Sequence, residues 1–153
     1  MKRIMFVCHG NICRSPMAEF IMKRIVDERG LSGRYYIASS ATSTEEIGNP
    51  VYPPAMAELM KHGIRCTGKR SVQLQRSDAD RYDLFIGMDE ANIRNMRRIL
   101  GEGAYGRIHK MMSFTGSDND VSDPWYFGGF DKTYDDCYAA CSALFDLLEG
   151  GKI

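Results

Sequence analysis

The sequence predicts an α/β domain built on a mainly parallel sheet, and three observations carry that expectation. Short apolar runs alternate with stretches of helical periodicity along the whole chain. The first run, RIMFVC (3–8), stays apolar after its arginine, as a strand covered on both faces should. The helical stretches open on capping residues and close on glycines, at Gly30, Gly63 and Gly101. Alternation of this kind calls for right-handed crossovers and helices on both faces of the sheet. A chain of 153 residues has the length of one domain, so residues 1–153 are expected to share a single core.

Each element follows in order. After the 3–8 strand, Ser15 as N-cap and Pro16 as first helical residue predict a helix start. Met17, Phe20, Ile21 and Ile25 then recur at helical spacing as far as Gly30. YYIASS (35–40) reads as a second strand, followed by the loop TSTEEIGNPVYPP and a helix over about 54–62. DLFIGM (83–88) is the clearest later strand. Asp89 follows as N-cap of a helix whose apolar face is Ile93, Met96, Ile99 and Leu100. GRIHKMM (106–112) reads as a fourth strand, and residues 113–131 as a long loop. Tyr134, Cys137, Cys141, Leu144, Phe145 and Leu148 stripe a final helix. Ligands of such sheets sit at the carboxyl ends of the strands. The 8–15 loop, the 39–50 loop, Asp89 and the 113–131 loop are therefore expected to gather there.

Composition narrows the function. Twenty basic residues balance twenty acidic ones, which argues against nucleic-acid and membrane-surface partners. No stretch approaches the roughly 20 apolar residues of a membrane span. The opening MKRIMFVC is too short an apolar run for a secretory signal, so a cytoplasmic location is expected. Cys8, Cys13, Cys66, Cys137 and Cys141 are odd in number and lack framework spacing, which suits reduced thiols. Cys137 and Cys141 share a helical face and read as core residues. His62 and Cys66 are separated by a helix-breaking glycine, so a metal pair there is not expected.

The chemistry concentrates in VCHGNICRSPMAEF (7–20). A turn feeding a helix N-terminus presents unpaired N–H groups and the positive end of the helix dipole, a site for an anion of phosphate size. Gly10 permits the tight turn and Asn11 tolerates a left-handed backbone. The same field favours a thiolate, so Cys8 is expected to be a nucleophile. Arg14 supplies a planar bidentate clamp for two phosphate oxygens. The Ser15 hydroxyl can donate to the Cys8 sulfur. A Cys–Arg pair with five residues between them is a weak signal alone; the glycine, asparagine, serine, proline, strand and helix around it strengthen it. The nucleotide-binding G-K-[ST] is missing, which disfavours ATP hydrolysis.

Phosphoryl transfer to Cys8 also needs an acid for the leaving oxygen and a base for the water that follows; one carboxyl group can serve as both. Asp123, before Pro124 and beside Trp125 and Tyr126, is a candidate. On residue chemistry alone, Asp118, Asp120 and Asp131 compete with it, or all four form a solvated acidic loop. Trp125 and Tyr126 either wall a slot for an aromatic ring or anchor the loop.

VCHGNICRSPMAE resembles the signature loop of the low-molecular-weight protein tyrosine phosphatases. SDPWYFG (122–128) resembles that family's general-acid loop, and GMDEANIRNM (87–96) its third conserved segment. The motifs come in the family's order over essentially the whole chain. The resemblance implies a Rossmann-like fold, a four-stranded parallel sheet flanked by helices on both faces. It also implies cofactor- and metal-free hydrolysis of phosphotyrosine in proteins, and of small aryl phosphates, through a phosphocysteine. Cys8, Arg14 and Asp123 would be catalytic, and His9, Gly10, Asn11, Ile12, Cys13 and Ser15 would complete the phosphate-binding loop. Phosphate and other oxyanions would compete with substrate. Ser39, with Ser40 as the alternative register, would hold Asn11, and Asp89 would orient Arg14 besides capping its helix. Trp125, Tyr126 and Glu45 would border the substrate pocket. Cys13 would protect Cys8 through a reversible disulfide, its alternative being a small core residue.

Departures from the family pattern occur at His9, at Glu45 and Glu46, and at Lys69, where a histidine is frequent; they bear on leaving-group preference. Relatives that hydrolyse phosphoarginine tend to have threonine where this chain has Ile12, which suits a phenyl ring better. Arsenate reduction would need relay cysteines that Cys66, Cys137 and Cys141 do not match. A phosphocysteine carrier would be defeated by Arg14 and Asp123, and the intact set of Cys8, Arg14 and Asp123 argues against a catalytically dead sensor.

Overall fold

The computed structural model describes residues 1–153. Strand β1 (Lys2–Cys8) lies between β2 (Tyr35–Ala41) and β3 (Leu84–Gly87), with β4 (Ile108–Lys110) outside β3. The order is β2-β1-β3-β4 and every pairing is parallel. Register matches Cys8 with Ala41 and Val7 with Gly87, so the carboxyl ends of the three longer strands finish side by side.

The unbroken apolar run of β1 has its explanation in the two cores. Ile4, Phe6 and Cys8 point into the larger one, shared with helices α1 (Arg14–Glu28) and α5 (Phe130–Glu149). Met5 and Val7 point the other way, into a smaller core under α3 (Glu90–Leu100). With Phe6 and Val7 both fully buried, neither face can carry a polar residue cheaply. The stripe of α5 falls where expected: Cys137, Cys141 and Leu144 are fully buried. Gly87 permits close seating of α3 on the sheet. A Cβ there would lie 2.7 Å from Met96 Sδ and 3.0 Å from Ile93 Cδ1.

Several boundaries differ from expectation. Helix α1 begins at Arg14 with Cys13 as N-cap, so Ser15 does not cap it and Pro16 is the third helical residue. The proline is tolerated because the first four helical N–H groups have no intrahelical acceptor. Helix α2 covers Pro53–Lys61, one residue earlier than read. The fourth strand shrinks from 106–112 to three residues, because 3-10 turns over Glu102–Arg107 and Met111–Thr115 consume its ends. The 113–131 segment is not wholly a loop. It holds the short helix α4 (Pro124–Phe127), which Asp123 caps by accepting from Trp125 N at 3.1 Å.

Candidate active site

The turn after β1 wraps around the Cys8 sulfur. Asn11 N–H donates to Cys8 Sγ (3.3 Å), and Ser15 Oγ lies 3.0 Å from the same atom. Both contacts place donor capacity against the sulfur of a residue that is 3 % exposed. Asn11 is the one non-glycine residue with positive φ (57°). That conformation is uncommon for a side-chain-bearing residue and least so for asparagine. The strain is held by its side chain, whose Nδ2 donates to Ser15 Oγ (2.7 Å) and Ser39 Oγ (2.9 Å). Ser39 is thus the residue in register; the buried Ser40 hydroxyl has no partner.

Arg14 is 2 % exposed and held from several sides. Its Nη1 donates to Asp89 Oδ2 and to the Val121 carbonyl, both at 2.8 Å, and its Nη2 faces Asp123 Oδ2 at 3.4 Å. Burial opposes the guanidinium charge, but Cys8, Asp89 and Asp123 more than offset it and raise the group above its ordinary value. Asp89 also caps α3 by accepting from Asn92 N at 2.7 Å, so one carboxylate contacts both Arg14 and the helix start. Of the four loop aspartates, Asp123 is the one brought to Arg14. Asp120 instead pairs with Lys110 at 2.7 Å.

Cys8, Gly10, Ile12, Cys13, Arg14 and Asp123 line one pocket together with His9, Glu45, Glu46, Trp125 and Tyr126. Trp125 leans on Tyr52, their ring centroids 4.6 Å apart, and Tyr126 stays 70 % exposed. His9 Nε2 meets Glu45 Oε2 at 3.1 Å. Cys13 is buried, and burial first, then the neighbouring Cys8 and Asp123, push its thiol up. No cluster of three or more metal-ligating side chains forms. His62 turns to Glu58 (3.2 Å) and stacks on Tyr134, whereas Cys66 is buried.

Residues 3–152 match the family model described as low molecular weight phosphotyrosine protein phosphatase. The chain belongs to this family. Low molecular weight protein-tyrosine-phosphatase YfkJ of Bacillus subtilis is 32 % identical over 154 residues, covering 99 % of each chain. Its crystal structure superposes with a TM-score of 0.95 at 33 % identity, over all of this chain and 98 % of that one. A protein tyrosine phosphatase from Entamoeba histolytica, solved with Hepes in the active site, gives 0.94 at 30 % identity over the full length of both. Vibrio vulnificus Wzb, solved with benzylphosphonate, gives 0.82 at 25 % identity over 94 % of this chain and 96 % of that one. The phosphatase therefore has the four-stranded parallel fold that its motifs imply.

Some residues around the phosphatase's pocket left no mark in its motifs. Ser71 Oγ donates to the Gly10 carbonyl (2.8 Å), and Val72 N donates to Asn11 Oδ1 (3.2 Å). Both contacts span 61 positions, and no local pattern encodes them. Asn92, within the 87–96 motif, accepts from Met88 N at 3.0 Å, steadying the turn that carries Asp89. Glu19 carried a signal that could have found it. It is an acidic residue on the buried side of α1, between Ala18 and Met22, and it is 4 % exposed.

Proposed function

We propose that this family member removes phosphate from phosphotyrosine in proteins, and from small aryl phosphates, with Cys8 as nucleophile. The observation that carries the reading is convergence: Cys8 and Arg14, from the turn between β1 and α1, and Asp123, from a segment more than 100 residues further on, line one pocket. Orphan N–H groups at the start of α1 and the Arg14 fork bind the phosphoryl oxygens. Cys8 sulfur attacks phosphorus in line, forming an S–P bond as the P–O bond to the aryl oxygen breaks. The Asp123 carboxyl gives its proton to that oxygen. The resulting carboxylate then takes a proton from water, whose oxygen attacks phosphorus and returns the Cys8 thiolate and inorganic phosphate. Asp123 supports this double role by its place in the same pocket, 3.4 Å from the Arg14 guanidinium that binds the phosphoryl group on this reading.

Trp125 and Tyr126, which line the pocket with Ile12 and Glu45, supply the aromatic surface for the substrate ring on this reading. The benzylphosphonate of the Wzb relative, a ring joined to a tetrahedral anion, is the kind of ligand such a pocket admits. We also propose that residues 1–153 act as one phosphatase domain in the cytoplasm, a setting that suits five unpaired, buried thiols. No helix is long and apolar enough to cross a membrane. Inorganic phosphate and similar oxyanions are competitive ligands on this reading, and Cys13 is the partner for a protective disulfide with Cys8.

The test is phosphate release, with chelator present, from phosphotyrosine, phosphoarginine and phosphoserine peptides. Release confined to phosphotyrosine is the expected result. Preference for phosphoarginine would overturn the reading of Ile12, and stable phosphorylation without release would make the protein a carrier. Asp123→Ala is expected to lower kcat by about 10²–10⁴-fold on phosphotyrosine, and less on substrates with good leaving groups. Full activity in that variant would assign the acid to another carboxylate.

A further inference from the structure

Tyr52 does not line the pocket, yet it touches both of the segments that build it. Its N–H donates to the Ile12 carbonyl in the phosphate-binding loop at 2.9 Å. Its ring stands against Trp125 with centroids 4.6 Å apart and planes tilted by 55°, a favourable arrangement for an aromatic pair. Phe130, at the start of α5, lies 6.1 Å away from the same ring. The backbone beneath that ring is well fixed. Pro53 holds the residue before it extended (φ −59°, ψ 133°), and the Tyr52 carbonyl accepts from Met56 N at 3.0 Å in the first turn of α2.

The segment that carries Asp123 has far less to hold it. Helix α4 is four residues long, too short to be stable by itself, and Pro124 is its one buried residue. Upstream, Val121 is anchored by its N–H on the Met88 carbonyl and its carbonyl on Arg14, both at 2.8 Å. Downstream, Gly128 and Gly129 join α4 to α5 with left-handed backbones (φ 70° and 76°) that glycine adopts without strain. The contact between Asp123 and Arg14 does not last through the reaction. To act as an acid Asp123 must carry a proton, and a neutral carboxyl has lost its ion pair with a guanidinium that is turned to the phosphoryl group. What then holds the carboxyl is its own short helix. Asp123 Oδ1 accepts from Trp125 N at 3.1 Å, and the Trp125 ring rests on Tyr52.

We propose that Tyr52 is a positioning residue for the general acid: tied by its backbone to the phosphate-binding loop, it holds Trp125 with its ring and so keeps Asp123 in place over the leaving oxygen. The inference rests on Asp123 being that acid. A proton donor helps only when it is held within reach of the oxygen it protonates. Tyr52 sets that distance, because one residue meets the loop that binds the phosphate and the helix that carries the proton.

The experiment compares kcat/KM of wild type, Tyr52→Ala and Tyr52→Phe on phosphotyrosine and on an aryl phosphate with a good leaving group. Tyr52→Ala is expected to lose about three- to tenfold on phosphotyrosine, the scale of one aromatic contact, and less than about twofold on the other substrate. Tyr52→Phe keeps the ring and should match wild type. Inhibition by inorganic phosphate should hold within about twofold in both variants, because the backbone bond to Ile12 needs no side chain. Trp125 is the only tryptophan of the chain, so its emission reports the contact directly, and acrylamide should quench it more strongly in Tyr52→Ala. Equal losses on the two substrates, an unchanged kcat/KM, or unchanged quenching would overturn the proposal. Should Tyr52→Ala fail to fold, Tyr52→Leu keeps apolar bulk without the ring and carries the same expectation. Asp123→Ala, measured alongside, separates the two claims: if it loses equally on both substrates, the acid reading falls and this inference with it.

Discussion

Cys8→Ser is expected to abolish turnover while leaving oxyanion binding intact. The sulfur sits among donors from Asn11 and Ser15, at the end of a strand whose register with β2 and β3 fixes its position. A serine hydroxyl there meets the same donors but is an alcohol with no base beside it to take its proton. The loss in kcat should be on the order of 10⁴–10⁶-fold, the scale of deleting a nucleophile. The Arg14 fork and the helix N-terminus persist in the variant, so calorimetric titration should find phosphate binding within a few-fold of wild type. Residual turnover at a tenth of the wild-type rate would point to another nucleophile.

Arg14→Ala should lose both properties. The guanidinium is the only Lys or Arg side chain lining the pocket, and it lies against two carboxylates. Removing it deletes the clamp and leaves Asp89 and Asp123 facing a phosphate dianion with no cation between them. A transition-state arginine is worth about 10³–10⁵ in kcat, and phosphate affinity should fall with it. The stability cost is expected to be about 1–3 kcal/mol. That falls below the usual figure for a broken buried pair, because the two carboxylates are 22 % and 21 % exposed. Arg14→Lys separates charge from geometry: it restores the cation but not the fork, so binding should recover more than turnover. Equal kcat in Arg14→Ala and wild type would remove Arg14 from the mechanism.

Much of this arrangement can be read from local sequence because its causes are local. Continuous apolarity marks β1 because both its faces are covered. Asp89 announces α3 because an N-cap needs only its own first turn. The strand-to-helix loop is legible because Gly10, Asn11 and Arg14 each answer a need of the same short turn. The α1 boundary was misread because Ser15, a strong capping residue, turns its hydroxyl to Cys8 and Asn11 instead of to the helix N–H groups. Strand β4 was overread because apolarity at Met111 and Met112 belongs to a 3-10 turn packed on α5, with Met111 fully buried. Glu19, Ser71 and Val72 reach the site through contacts that only the closed fold creates. For Glu19, the buried charge was the clue: a carboxylate placed among core residues has to be paired, and its partners lead back to the loop.

The most direct test of the central claim is a rapid-quench reaction of the Asp123→Ala variant with a good-leaving-group aryl phosphate, followed by peptide mapping. Without the base that activates water, the intermediate should outlast its formation. The account predicts close to one phosphate per chain, bound through sulfur at Cys8. Phosphate attached to another residue, or aryl alcohol released in a burst with no phosphate on the protein, would contradict it.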